Sequence, residues 1–573
     1  MGRRIGKENI FIKMVGETLR KNIFESINKF KNSFISFMPS SMDFFKIMAI
    51  LACIYCVIDI FSVRLSSPAF SPDSWCYYEL SKNFFNDFYK INTFINYQFN
   101  DVPYGTSFPP LYPLVIYVFN KVFNLEIYSG YLANFFICFL TMFILSKISK
   151  RIFGNIFWGL FVFITLLYNQ NYIDELISAR SIPLSICLFF IMFYLIIKND
   201  EFGNSSLILL GLIAGLMVMN RFDYMLAAVM MGFIISFINS KRKIKSFFIY
   251  FFALFIVILP WILYSYNHFE KIFVSDNSRT VILAFNNYVL DYFPDDTILS
   301  TIFNSPKQWL LNMVERIKGP IASLVNTIFY DSFIIHLLLM IVAFEAFFFP
   351  NMPVVVHKVR RESNDTFRKA LLILIPLMVQ VLSVFLTGYT DSRYFIILLT
   401  YLTIIAILKL SSLIGDLGES KEKLIKIILG ILTITIALNI SIYKPKYKEQ
   451  GVAISYNYHL NQSNLKPIEY ENIVNTIKRD TTKPRVMVSL YEDPINLSKF
   501  GALTGVTTFA GPSNLSSKNI NEIVRKYKIT HYISSNPKWT EILQKEFKVT
   551  KKEEIQIPVY YIQEYQPKKF KEE

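Results

Sequence analysis

Apolar runs recur along the chain at residues 44–63, 128–147, 154–168, 181–197, 206–220, 224–239, 246–264, 331–349, 370–387, 394–411 and 424–442. A helix of about 17 to 25 apolar residues crosses a hydrocarbon core of roughly 30 Å, so the pattern predicts a polytopic α-helical membrane protein of about 11 transmembrane helices. Alternate connecting loops are basic: Lys147, Lys150 and Arg151, then Lys198, then Lys241, Arg242, Lys243 and Lys245, then Lys358, Arg360, Arg361, Arg368 and Lys369, then Lys421 and Lys423. Holding these loops inside, as positive charge requires, puts residues 1–43 in the cytoplasm as a basic N-terminal arm. The remaining loops then face outward.

The first outward segment, residues 64–127, is polar and turn-rich around SPDSWCYYELSK. Its apolar piece from Pro109 to Val122 is short for a span and opens on Pro109, Pro110 and Pro113, so it reads as a helix lying at the outer interface. After the spanning region, which is residues 44–443, the character of the chain changes. Residues 444–573 alternate short β-type runs, PRVMVSL, ITHYISS and IPVYYIQEY, with the helical pattern SSKNINEIVRKYK. A small C-terminal extracytoplasmic α/β domain is the expectation.

Composition agrees with the pattern. Of 573 residues, 53% are hydrophobic and 18% charged, against about a quarter charged in soluble proteins. The formal charge of +16 is largely that of the inside loops, so it marks topology and gives no ground for a nucleic-acid partner. Cys53, Cys56, Cys138 and Cys187 lie within apolar runs and Cys76 in the first outer segment, which builds no disulfide framework. The Cys53–Cys56 pair reads as core packing. No phosphate-binding glycine loop, dinucleotide fingerprint or cluster of metal ligands is present, so no cofactor is expected and a divalent metal has no support.

Charged side chains at the edge of hydrocarbon are costly unless a cavity or a partner receives them. Asp73, Arg180, Arg221, Asp223 and Arg393 all fall at outer helix ends. The pairs Arg221–Asp223 and Asp391–Arg393 can simply neutralise those ends. Several arginines converging beside an acidic segment also suit an acceptor hydroxyl on one side and a phosphate leaving group on the other.

The segments SPDSWCYYELSKNFF, FPPLYPLVIYVFNKVFN, NRFD, PWILYSYNHFEKIFVSDN and TDSRYF, in that order, resemble the GT-C superfamily of polyprenyl-phosphate-sugar-dependent glycosyltransferases. The similar branch holds protein O-mannosyltransferases and the lipid A aminoarabinose transferase. The resemblance implies a GT-C-like fold over residues 44–443 and a polyprenyl-phosphate-linked sugar donor drawn from among the membrane lipids. The acceptor, lipid, glycan or protein, is left open. It implies that Asp73 is the catalytic base, that Tyr77 and Tyr78 occupy substrate-binding aromatic positions, and that Arg221, Arg393 and Arg180 bind carrier phosphate with Asp223 beside them. Many relatives carry a second acid directly after the first, whereas this chain has Ser74, which removes a ligand that a bridging metal would use. The implied protein is a multi-pass enzyme of the plasma or inner membrane. A transporter or flippase of lipid-linked sugars, and a non-catalytic scaffold, are the competing readings; a transporter would carry charges nearer the bilayer midplane.

Overall fold

The computed structural model describes residues 41–65, 71–85, 93–94, 108–199, 201–239, 242–273, 360–387, 392–415, 419–442, 467–481, 484–488, 506–510, 527–533, 537–551 and 559–564, with a few single positions between them. The apolar run at 331–349, residues 1–40 of the arm and Asp391 lie outside the described residues, and the last three residues of the arm, 41–43, form the start of the first helix.

In chain order the helices of the first part are α1 (Ser41–Leu65), α2 (Pro72–Lys82), α3 (Leu111–Phe123), α4 (Tyr128–Phe153), α5 (Phe157–Tyr168), α6 (Gln170–Ile177), α7 (Ile182–Lys198), α8 (Asn204–Asn220), α9 (Met225–Ile238) and α10 (Lys243–Phe269). There follow α11 (Arg360–Thr387), α12 (Ile396–Gly415) and α13 (Glu419–Ile442). Each apolar run that falls on described residues coincides with one of these helices. The chain is a multi-pass membrane protein built from apolar helices.

By length and composition, Asp43–Ser62, Tyr128–Phe153 and Lys243–Phe269 suffice to cross a bilayer alone, and Asn171–Ile177 with Ile182–Lys198 forms a pair bent by 110°. Several other apolar helices are shorter, such as Phe157–Tyr168 and Asn204–Asn220. At about 1.5 Å per residue, such helices fall below the roughly 30 Å of hydrocarbon.

The helices pack as α8 on α10, α1 on α13, α4 on α5 and α7, and α9 on α11. The α8–α10 contact depends on small residues. A Cβ at Gly211 would meet the Tyr250 carbonyl oxygen and, at 2.8 Å, the Ala253 Cβ. One at Gly215 would stand 2.6 Å from the Val257 Cβ. Four-residue spacing places both glycines on one face, so the two backbones approach where larger side chains would hold them apart.

The C-terminal part carries helices α14 (Pro467–Asp480) and α15 (Pro537–Gln544). Its strands are β2 (Arg485–Val488), β3 (Thr507–Ala510), β4 (His531–Ile533), β5 (Phe547–Lys551) and β6 (Val559–Glu564). They form one six-stranded sheet with β1 (Thr93–Phe94), in the order β1-β3-β2-β4-β6-β5. The β1, β3, β2 and β4 strands are parallel, while β6 runs antiparallel to β4 and β5. Met487, Phe509, Tyr532 and Phe547 make its core with Ile520, Val524 and Tyr527, the last three from the stretch read as helical. β6, the described part of the last β-type run, lies between β4 and β5, and β1 comes from the first outer segment, with Thr93 opposite Thr508 and Phe94 opposite Phe509. That segment is therefore tied to the C-terminal sheet through backbone hydrogen bonds.

Gly211→Ala is expected to lower the thermal unfolding midpoint of the purified protein, since overpacking costs about 1–3 kcal/mol. Gly203→Ala, where nothing lies within 4 Å of the added Cβ, leaves it near wild type.

Candidate active site

The segment read as a polar loop is in fact helical at its centre. Ser71 caps α2: its Oγ accepts from the Ser74 amide at 3.3 Å, and its own amide donates to Ser74 Oγ at 3.1 Å. Pro72 occupies the first turn, where its missing N–H costs nothing. This capping box has serine where glutamate is usual, and that is why the element is hard to see in the pattern. Ser74 through Ser81 are buried, Cys76 completely, because α2 lies under α3 and against the turn between α6 and α7. Ser74 Oγ donates to the Ser178 carbonyl, and Tyr77 Oη pairs with Ser181 Oγ at 2.9 Å.

The turn opposite α2 is held open by Asn134 of α4. Its Nδ2 donates to the carbonyls of Glu175 (3.2 Å), Leu176 (3.2 Å) and Arg180 (3.1 Å), while Tyr112 Oη donates to its Oδ1 at 3.0 Å. Ala179 sits in the left-handed region at φ 53°, a conformation that costs an alanine about 1–2 kcal/mol. The Asn134 bonds offset that cost and turn Glu175 and Arg180 inward.

The result is an ionic cluster drawn from four places in the chain. Arg393 Nη1 lies 3.1 Å from Asp73 Oδ2 and 3.6 Å from Glu175 Oε1. Arg180 Nη1 donates to the same Glu175 oxygen at 2.7 Å, and Arg180 Nε donates to Ser71 Oγ at 2.9 Å. Glu175 and Arg180 are buried, whereas the Asp73 side chain keeps 34% of its surface. Arg221 forks onto Asp223 at 3.1 and 3.3 Å, and Gln380 Nε2 reaches Asp223 Oδ2 at 3.5 Å. The pair stands on the 3-10 turn Phe222–Tyr224, which joins α8 to α9. Arg221 is close enough to act electrostatically on Asp73 and Tyr77.

Of the residues expected from sequence, Asp73, Tyr77, Arg180, Arg221, Asp223 and Arg393 gather here. Tyr78 follows a different strip of α2, as five residues of helical rotation from Asp73 require. Its ring meets Trp75 at 6.4 Å and lies under Lys82 Nζ at 5.5 Å. The sequence alone assigns no role to Glu175, Ser71, Asn134 or Gln380. Glu175 sits on an amphipathic helix where its burial has no sequence signature.

Burial alone would raise the Asp73 carboxyl, but the guanidiniums of Arg393, Arg180 and Arg221 outweigh it and hold it below the ordinary value of 3.8. Burial pushes the Tyr77 phenol upward, so it stays protonated. Among the described residues no group of three His, Cys, Asp or Glu side chains is placed to hold a metal ion. Asp73 and Glu175 share a guanidinium.

Residues 107–264 match the family model described as dolichyl-phosphate-mannose-protein mannosyltransferase. That match supports the GT-C resemblance. The matched segment carries Glu175, Arg180, Arg221 and Asp223 of the cluster; Asp73 and Arg393 lie on either side of it. Among solved structures, ArnT from Cupriavidus metallidurans bound to undecaprenyl phosphate is similar at 9% identity and TM-score 0.41, over 91% of this chain and 98% of that one. ArnT from the same organism in the apo state is similar at 9% identity and TM-score 0.40, over 89% and 97%. No curated protein sequence matches.

A folded carboxyl held low contributes stability that is present above its unfolded value and lost as pH falls through the folded one. The wild-type unfolding midpoint is therefore expected to drop more steeply than that of Asp73→Asn as pH is lowered past 3.8. Parallel thermal melts across an acid series check this.

Proposed function

We propose that the protein is a membrane glycosyltransferase that moves a sugar from a polyprenyl-phosphate carrier to an acceptor hydroxyl on the extracytoplasmic face. The observation that carries this is the Asp73–Arg393 ion pair, a base and a phosphate-binding group in contact, joined to a segment of mannosyltransferase type. In this reading the chain crosses the bilayer about 11 times, with the N-terminal arm inside and the C-terminal sheet outside.

The chemistry needs three things from the chain. Arg393 and Arg221 take the carrier phosphate, whose two oxygens fit a guanidinium fork. When Arg393 turns to the phosphate, Asp73 loses its nearest cation and its proton affinity rises towards that of a useful base. Asp73 then accepts the acceptor hydroxyl proton as the acceptor oxygen bonds to the sugar anomeric carbon. The bond from that carbon to the phosphate oxygen breaks, and polyprenyl phosphate leaves as an anion stabilised by the arginines. Tyr77, fixed by Ser181, lines the site as a neutral hydroxyl, and Tyr78 supports α2 from its other strip. Hexose and pentose donors are both compatible with this arrangement.

The test is reconstitution in proteoliposomes with a panel of radiolabelled polyprenyl-phosphate hexoses and pentoses, using a membrane extract as acceptor source. Wild type is expected to transfer label, Asp73→Asn to lose about 100-fold or more of the rate, and Arg393→Gln to weaken carrier binding. Transfer that survives Asp73→Asn contradicts the base assignment. Movement of the donor between leaflets with no transfer to any acceptor contradicts the enzyme reading.

A further inference from the structure

We propose that Glu175 is the positioning residue of this site: one carboxylate oxygen locks Arg180 in place and gives Arg393 a second anchor, so that Arg393 can leave Asp73 for the carrier phosphate without leaving the site. The inference rests on the glycosyl-transfer reading above and goes beyond it by assigning the residue that sets the cluster's charge and geometry.

The geometry is asymmetric. Glu175 Oε1 is 2.7 Å from Arg180 Nη1 and 3.6 Å from Arg393 Nη1. The closer contact is a full charge-assisted hydrogen bond; the longer one is electrostatic attraction without a formed bond. Arg180 is fixed at both ends of its fork, by Glu175 and by Ser71 Oγ at the cap of the helix that carries Asp73. It thus acts through α2 and the Glu175 carboxylate, and the mobile cation is Arg393. Because Arg393 Nη1 lies between two carboxylates, losing the one on Asp73 leaves it held by the one on Glu175.

Charge balance points the same way. Among the described residues, Asp73, Glu175 and Asp223 stand against Arg180, Arg221 and Arg393. A carboxylate as buried as Glu175 is retained only if it is paired, and removing its charge takes one anion away from the two arginines it faces. The groups facing Asp73 are then Arg393, Arg180, Arg221 and Tyr77, while Tyr112 faces Glu175 from α3. A site with one anion fewer attracts the phosphate more strongly and makes Asp73 a weaker base. Affinity and turnover therefore move in opposite senses, whereas loss of a merely structural contact lowers both.

Full-length protein in nanodiscs tests this with radiolabelled polyprenyl phosphate as the binding probe and the transfer assay as the rate. Glu175→Gln is expected to bind the probe about threefold or more tighter, to turn over about tenfold or more slowly, and to shift the acid limb of its pH–rate profile lower. Glu175→Asp keeps the charge with a shorter reach; it is expected to retain wild-type probe affinity and recover most of the rate, which also decides the matter if Glu175→Gln does not fold. Wild-type affinity and rate in Glu175→Gln, or an equal fall of affinity and rate in both variants, overturns the inference alone. Failure of the wild type itself to bind polyprenyl phosphate overturns the glycosyl-transfer reading and this inference with it.

Discussion

Arg393 Nη1 stands between the carboxylates of Asp73 and Glu175, at 3.1 and 3.6 Å, and this bridge is what the rest of the site depends on. Asp73 comes from the helix after the first apolar span, Glu175 from the short bent helix before α7, and Arg393 from the turn before α12. An ion pair in that setting forms only if three separate elements are held in register. The capping box at Ser71 and the Asn134 clamp are the local devices that hold the first two.

On the proposed glycosyl-transfer reading, the same bridge accounts for how a carboxylate so strongly paired would serve as a base. In the free protein the neighbouring guanidiniums keep Asp73 ionised and weakly basic. On that reading a carrier phosphate would compete for Arg393, and its arrival would raise the proton affinity of Asp73 when an acceptor must be deprotonated, linking carrier binding and base strength through one side chain. The β1 strand adds a structural tie, since the segment after α2 contributes to the sheet at the C-terminus.

Much of this architecture was legible in the residues, and the rest was hidden for identifiable reasons. Apolar runs located the helices because burial in lipid or protein demands the same composition. Asp73, Arg221, Asp223 and Arg393 stood out because charge beside hydrocarbon needs a partner, although Arg393 pairs with residues 320 and 218 positions away along the chain rather than with a close neighbour. Glu175 looked like any acid on an outer turn, and only the approach of Arg180 and Arg393 gives it a role. Cys76 looked accessible and is buried because α2 is a packed helix. A two-residue strand whose partner is Thr507–Ala510 leaves no periodicity to read.

The measurement that tests the account most directly is a cryo-electron microscopy structure of the full-length protein in nanodiscs with polyprenyl phosphate bound. The account predicts phosphate density within hydrogen-bonding distance of the Arg393 and Arg221 guanidiniums, with the Asp73–Arg393 contact broken and Arg180 still on Glu175 and Ser71. Phosphate bound elsewhere, with the Asp73–Arg393 pair intact, would contradict it.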